Sequence, residues 1–214
     1  MTPPKGNQMS TLHDNANAVL TQVDALDLQP VKGARGWPHM GALICDAGLQ
    51  ARANYARTVR PRLLNMMQAW PEATTTSTFA QRLKSGDLGE VLRWHGPHKL
   101  RIIKEITGVL LAHGIETPNE LRERLSDPMD TVRAALRAIR GVGRKTMDYL
   151  SILSGSDQHV AVDVHLRRFA ADAKLGHLNN ADLNAAIVQA ALIREWNPGG
   201  LDAAIWRTYS ARIK

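Results

Sequence analysis

Cysteine is almost missing: Cys45 is the only one in 214 residues. Intrachain disulfides are excluded, and so are zinc or iron–sulfur centres held by several thiolates. No apolar run approaches the ~20 residues that a membrane-spanning helix needs. The opening MTPPKGNQMSTLHDN has no apolar stretch of the kind a secretory leader carries. No pair of segments alternates as strands do, no repeat of solenoid period is present, and the histidines lack metal-ligand spacing. Acidic residues are in deficit, with 20 Asp plus Glu against 27 Lys plus Arg and a net charge of +7. These exclusions leave an intracellular protein, expected to be monomeric and without a membrane partner, whose basic surplus suits a polyanion such as nucleic acid.

What is present reads as helix after helix, so the expected fold is all-α. Leu12, Ala16, Val19, Leu20, Val23 and Leu26 share one face of a first helix. Residues 1–11, rich in Pro, Gly and polar side chains, are expected to be a disordered tail. A second helix should begin near Pro38 after the loop QPVKGARGWP. A long helical stretch from Gln50 to Met67 carries Tyr55, Val59, Leu63 and Met66 inward, with Pro61 dividing or kinking it. PEATTTSTF reads as a loop ending in a cap for a short helix over Phe79 to Lys84. Helices follow around Asp87 to Trp94 and His98 to Ala112, with Gly114 as a C-terminal cap.

Two starts are explicit in the sequence. Thr117-Pro118-Asn119-Glu120 is a capping box with proline at the first helical position. Asp127-Pro128 opens the next helix in the same manner, and that helix buries Val132, Leu136 and Ile139. Further helices are expected over Arg144 to Ser154, Val164 to Ala173, Ala181 to Trp196 and Gly200 to Arg212.

The segment Leu136-Arg-Ala-Ile-Arg-Gly141-Val142-Gly143-Arg144-Lys145-Thr146 turns the chain between two helices. Glycine at 141 and 143 permits positive φ and leaves the backbone bare. The N–H groups of the turn and of the following helix then form a donor site for one phosphate. Val142 should tuck into the seam between the helices. An ordinary helix–helix turn would also have this local pattern.

Downstream, Val160-Ala-Val-Asp163-Val-His165-Leu-Arg-Arg-Phe169 follows. Together, GVGRKT and VDVH resemble the helix-hairpin-helix DNA glycosylase superfamily. They are most similar to its endonuclease III branch, with the pattern Leu-Pro-Gly-Val-Gly-Arg-Lys-Thr and then Val-Asp-Thr-His. The resemblance is strong over about residues 136–170. It is weaker upstream, where LICDAGLQARANY resembles the helix and loop bearing the family's glutamine, here Gln50. HGPHKLRIIKEI similarly resembles the next basic helix.

The resemblance implies two helical lobes with a DNA-binding cleft between them and a helix-hairpin-helix at about 128–154. Residues 30–150 would form a helical barrel lobe, and 12–29 with 155–214 the other. Lys145 and Asp163 would be the catalytic pair, facing each other across the cleft. Gly141, Val142, Gly143, Arg144 and Thr146 would hold the DNA backbone. Gln50, with Trp94 or His95, would fill the gap left by a flipped base, although Trp94 can equally be core. His165 would touch phosphate or support the Asp163 loop, a structural role being the commoner one.

The chemistry accommodates these roles. Glycosidic cleavage develops an oxocarbenium-like sugar that a carboxylate stabilises. Asp163 stands where an N-cap carboxylate is oriented by backbone N–H groups, so capping alone also explains it. Lys145 lies in the first turn of a helix, a poor place for a cation, and is expected to be partly buried. An unprotonated lysine can attack C1′ and hold the sugar as a Schiff base. Phosphate contact is the ordinary alternative.

The implied activity is excision of damaged bases, oxidised pyrimidines by preference, from duplex DNA with associated AP lyase activity. The partner would be double-stranded DNA carrying damaged bases or abasic sites, inside the cell. Arg140 replaces the proline usual before the hairpin. The branch's four-cysteine iron–sulfur loop is absent, so no such cofactor is expected, and a monovalent cation at the hairpin is the one ion the reading admits. Two other readings remain open: a monofunctional glycosylase for alkylated or mismatched bases using Asp163-activated water, and a non-enzymatic DNA-binding module.

Overall fold

The computed structural model describes residues 5–32, 36–84, 86 and 88–212, and all regular elements among them are helical, as expected. None of these helices is long and apolar enough to cross a membrane. The chain divides into two compact units, one formed by Arg35–Ser156 and the other by Met1–Ala34 with Asp157–Lys214. They are called the middle and terminal units below.

The first helix, α1 (Lys5–Ala25), begins earlier than the sequence suggested. Residues 5–11 are helical rather than a disordered tail, and residues 1–4 lie outside the described residues. The prolines that argued for disorder stand at 3 and 4, and no further proline interrupts the chain until Pro30. Ala16, Val19, Leu20 and Val23 are buried along the expected face.

The middle unit is built around α2 (Met40–Leu49), which is buried along its whole length. His39 caps it, its Nδ1 accepting from Ala42 N at 3.2 Å while Nε2 pairs with Trp70 O at 3.1 Å. The expected long helix from Gln50 does not form. Gln50 is the C-cap of α2, and a π-helical turn, Tyr55–Val59, runs into α3 (Arg60–Ala69). Pro61 sits in the first turn of α3, where its missing N–H costs nothing. The Asn54 side chain starts the π turn by accepting from Arg57 N at 2.8 Å.

Next come α4 (Thr76–Leu83), α5 (Leu88–Leu92) and α6 (Pro97–Ala112). The threonine run expected as a loop instead begins α4. Thr75 and Thr78 form a reciprocal capping box ahead of Phe79. The expected start of α5 at Asp87 lies outside the described residues. Thr117 and Glu120 cap α7 (Pro118–Ser126) as read from the sequence. The following helix, α8 (Thr131–Ala138), is capped by Asp130 rather than Asp127. Asp127 accepts from Met129 N at 2.8 Å in a turn that holds Pro128, whereas Asp130 caps Val132 and also pairs with Arg124. The unit ends with α9 (Arg144–Leu153). Val132, Leu136, Ile139, Val142 and Met147 join one core with α2 and α6.

In the terminal unit α1 packs on α11 (Asn180–Ile193), and α10 (Val164–Asp172) packs on α12 (Pro198–Ala211). Val19, Val23, Leu166, Phe169, Ile187 and Ile205 share its core. The left-handed Glu195, φ +55°, ends α11 before the expected Trp196. Asn197 caps α12, which starts two residues before Gly200.

Gly48 marks a close approach in the middle unit. A Cβ there would lie 2.5 Å from Ile103 Cγ1, so α6 reaches α2 only because position 48 has no side chain. Gly48→Ala is expected to destabilise the protein by about 1–3 kcal/mol through overpacking. A lowered urea midpoint checks this, and an unchanged midpoint would show that α6 yields freely.

Candidate functional site

The α8–α9 turn is Ile139 to Gly143. Gly141 adopts φ +108°, and a Cβ there would meet Ile102 Cδ1 at 2.6 Å. Both facts require glycine. Gly143 differs from expectation: its φ of −102° and ψ of −175° are extended, and nothing lies within 4 Å of an added Cβ. It is the N-cap of α9 and supplies no side-chain cap, so the N–H groups of the first turn receive no acceptor from that position. Val142 N donates to Ile139 O at 2.9 Å, and Val142 is buried in the core as expected.

Arg144 and Lys145, in the first turn of α9, are both exposed, and Thr146 is half-buried. The partial burial expected for Lys145 is corrected: with Gly143 open to space, this end of the helix carries no covering side chains. One turn along, Asp148 is half-buried with no hydrogen-bond partner among the described residues, and desolvation raises its pKa to about 6 against the lowering effect of Arg144 and Arg133. Arg140 O accepts from the Arg101 guanidinium at 2.8 Å, and Arg101 also pairs with Glu105. Positive charge at that carbonyl thus comes from the protein's own side chain. Among the described residues no three His, Cys, Asp or Glu side chains gather as metal ligands.

Asp163 lies in the terminal unit as the N-cap of α10. Its Oδ1 accepts from His165 N at 2.8 Å and Leu166 N at 3.1 Å. Oδ2 has no partner among the described residues, so capping uses one oxygen and leaves the other available. The His165 ring stands edge-on to Trp206, centroids 5.7 Å apart, and its Nδ1 is buried without a hydrogen bond to the described residues. That packing favours the structural role for His165.

The upstream candidates belong to the middle unit. Gln50 is half-buried at the end of α2, and His95 is exposed. Trp94 packs against the core, its Nε1 buried and without a partner among the described residues. Sequence reasoning missed the residue that relates Gln50 to Trp94. Lys99 Nζ donates to Leu49 O at 2.5 Å and to Ala51 O at 2.6 Å, and lies 4.7 Å from the Trp94 ring centroid. Desolvation lowers the Lys99 pKa. No sequence signal announces these contacts, which join residues far apart in the chain.

Asp46 was also missed, although a lone carboxylate in MGALICDAGL is a visible anomaly. It is fully buried. Oδ2 accepts from Trp37 Nε1 at 2.8 Å and Tyr55 OH at 3.3 Å, and Oδ1 from Tyr149 OH at 3.1 Å. Desolvation raises its pKa to about 6 despite these three donors. Burial, with Asp46 beside it, also pushes the Cys45 thiol far up, so that thiol is inert.

The family model of a domain of unknown function, DUF8548, matches residues 72–210. The match includes the α8–α9 turn, Lys145 and Asp163, and excludes Asp46 and Gln50. No curated protein matches the chain.

The Asp46 carboxyl generates a pH prediction. Its folded pKa of about 6 lies above the ordinary 3.8. Its contribution to stability is therefore fully present below pH 3.8 and is lost as pH rises through 6. In Asp46→Asn the side chain does not titrate, while Asp148 titrates in both proteins and cancels. The stability of wild type relative to Asp46→Asn should fall by about 2–3 kcal/mol between pH 4 and pH 7. Urea unfolding across that range checks it, and a pH-independent difference contradicts it.

Proposed function

The chain belongs to the DUF8548 family, whose function is unknown, and we propose that it is a base-excision DNA glycosylase with AP lyase activity. One observation carries the reading most: the first turn of α9 is uncapped, open to space, and bears the exposed cations Arg144 and Lys145. Uncapped N–H groups beside two cations suit a phosphate. In this reading α8, the turn and α9 act as a helix-hairpin-helix on the backbone of duplex DNA, independently of sequence.

Lys145 then attacks C1′ of the flipped nucleotide with its amine lone pair. The C1′–N bond breaks, and the base departs with the electron pair and takes up a proton. The amine sheds its proton as the sugar ring opens to the imine, and β-elimination releases the 3′ phosphate and nicks the strand. Asp163, with one carboxylate oxygen outside its capping bonds, offsets the positive charge that develops on the sugar. Oxidised pyrimidines are the proposed substrate class.

The exposure of Lys145 beside Arg144 also suits a simple phosphate contact. Asp163 would then activate water in a monofunctional enzyme for alkylated or mismatched bases. Incubation with abasic-site duplex and borohydride separates the two. A Schiff base is reduced to a stable amine, giving a covalent protein–DNA species in wild type and none in Lys145→Gln, which also loses the nick. Base excision without a trapped complex favours the monofunctional reading. Neither excision nor trapping across a broad lesion panel removes the enzymatic reading.

Binding has its own test. Aspartate is a strong N-cap and meets open space at position 143, so Gly143→Asp should fold at least as stably as wild type. Its carboxylate would occupy the N–H groups offered to phosphate. Affinity for undamaged and abasic duplex should fall alike, by about tenfold. Unchanged affinity in the folded variant would take the turn out of the interface.

A further inference from the structure

Lys99 is held by the protein on several sides at once. Two of its N–H groups bond the carbonyls on either side of Gln50, and its ammonium lies over the Trp94 ring. The Leu49 carbonyl is the last of α2, where a cation is favoured by the helix dipole, and the Ala51 carbonyl lies just past the cap. The ring offers its electron-rich face, which attracts an ammonium most when water is excluded. The Arg62 guanidinium, 5.6 Å from the same ring centroid, adds to the Trp94 packing. Both segments leave their helices through a left-handed arginine, Arg52 at φ +56° and Arg93 at φ +47°. Such conformations are costly for non-glycine residues and persist only where surrounding contacts fix them.

We infer that Lys99 is a positioning residue: anchored on the core-packed Trp94 ring and bonding both carbonyls beside Gln50, it fixes the backbone that presents Gln50 to the gap left by a flipped base. This rests on the proposed glycosylase reading. An ammonium turned onto carbonyls and a ring is not offered to phosphate, so its removal should affect gap recognition rather than general DNA affinity. The close approach of α6 to α2 at Gly48 brings Lys99 within reach of the α2 carbonyls.

The test compares binding to a duplex containing a tetrahydrofuran abasic analogue with binding to the same duplex undamaged. Wild type should prefer the abasic duplex. Lys99→Met should lose about tenfold of that preference while binding undamaged duplex within about twofold of wild type. Lys99→Arg, able to bond both carbonyls, should restore most of it. If Lys99 acts through Gln50, the double variant Lys99→Met/Gln50→Ala should lose no more preference than the larger of the single losses. Circular dichroism and thermal melting establish folding, with Lys99→Gln replacing Lys99→Met if the latter does not fold. Retained preference in a folded Lys99→Met, or an equal loss on both duplexes, overturns the positioning role. Borohydride trapping by wild type keeps this outcome separate from failure of the glycosylase reading. Absence of both trapping and abasic preference in wild type overturns that reading and this role together.

Discussion

A helix cannot satisfy its own first N–H groups, and this constraint organises much of the structure. Side chains of His39, Asn54, Thr75, Thr117, Asp130, Asp163, Asn179 and Asn197 each close a helical start. Where no side chain does so, the reason differs from helix to helix. α3 continues out of the π turn, and α6 follows Gly96 with proline in its first turn. α9 has neither device, and its start is occupied by a bare Gly143 followed by two cations. Among the described helix starts, the open first turn of α9 is followed at once by two exposed cations, and this combination suits an external anionic acceptor.

Much of this was legible because capping is local. The Thr117–Glu120 box and the Asp163 cap depend only on residues within a few positions, and the two glycines around Val142 mark the α8–α9 turn in the same local way. Where reading failed, the deciding partner was distant or the choice was between similar local signals. Asp127 and Asp130 are both plausible caps, and the Arg124 pair accompanies the one used. The break after α2 depends on Asn54 capping a π turn, which the helical spacing of Tyr55, Val59, Leu63 and Met66 conceals. Lys145 was expected to be partly buried, yet exposure follows from what the rest of the unit does not place over α9.

The middle unit places ionisable groups in opposite circumstances. Asp46 is enclosed by three donors from before α2, the π turn and α9, so its carboxylate ties together segments that are far apart in sequence. Lys99 does the same with opposite charge for the end of α2 and Trp94. Both use long-range polar bonds where apolar packing alone would leave several arrangements of nearly equal energy. Neither could be assigned from periodicity, since periodicity finds buried faces but not the partners of a buried charge.

The terminal unit is discontinuous, and this affects how the protein is made. α1 buries Ala16, Val19, Leu20 and Val23 in a core shared with α10, α11 and α12, all encoded after the whole middle unit. During synthesis the middle unit has its complete core while α1 still lacks every partner it packs against. The apolar face of α1 stays unmatched on the nascent chain until the last helices emerge. Once the middle unit has folded, it acts as a compact tether in place of a flexible chain and reduces the entropy lost when α1 meets α11.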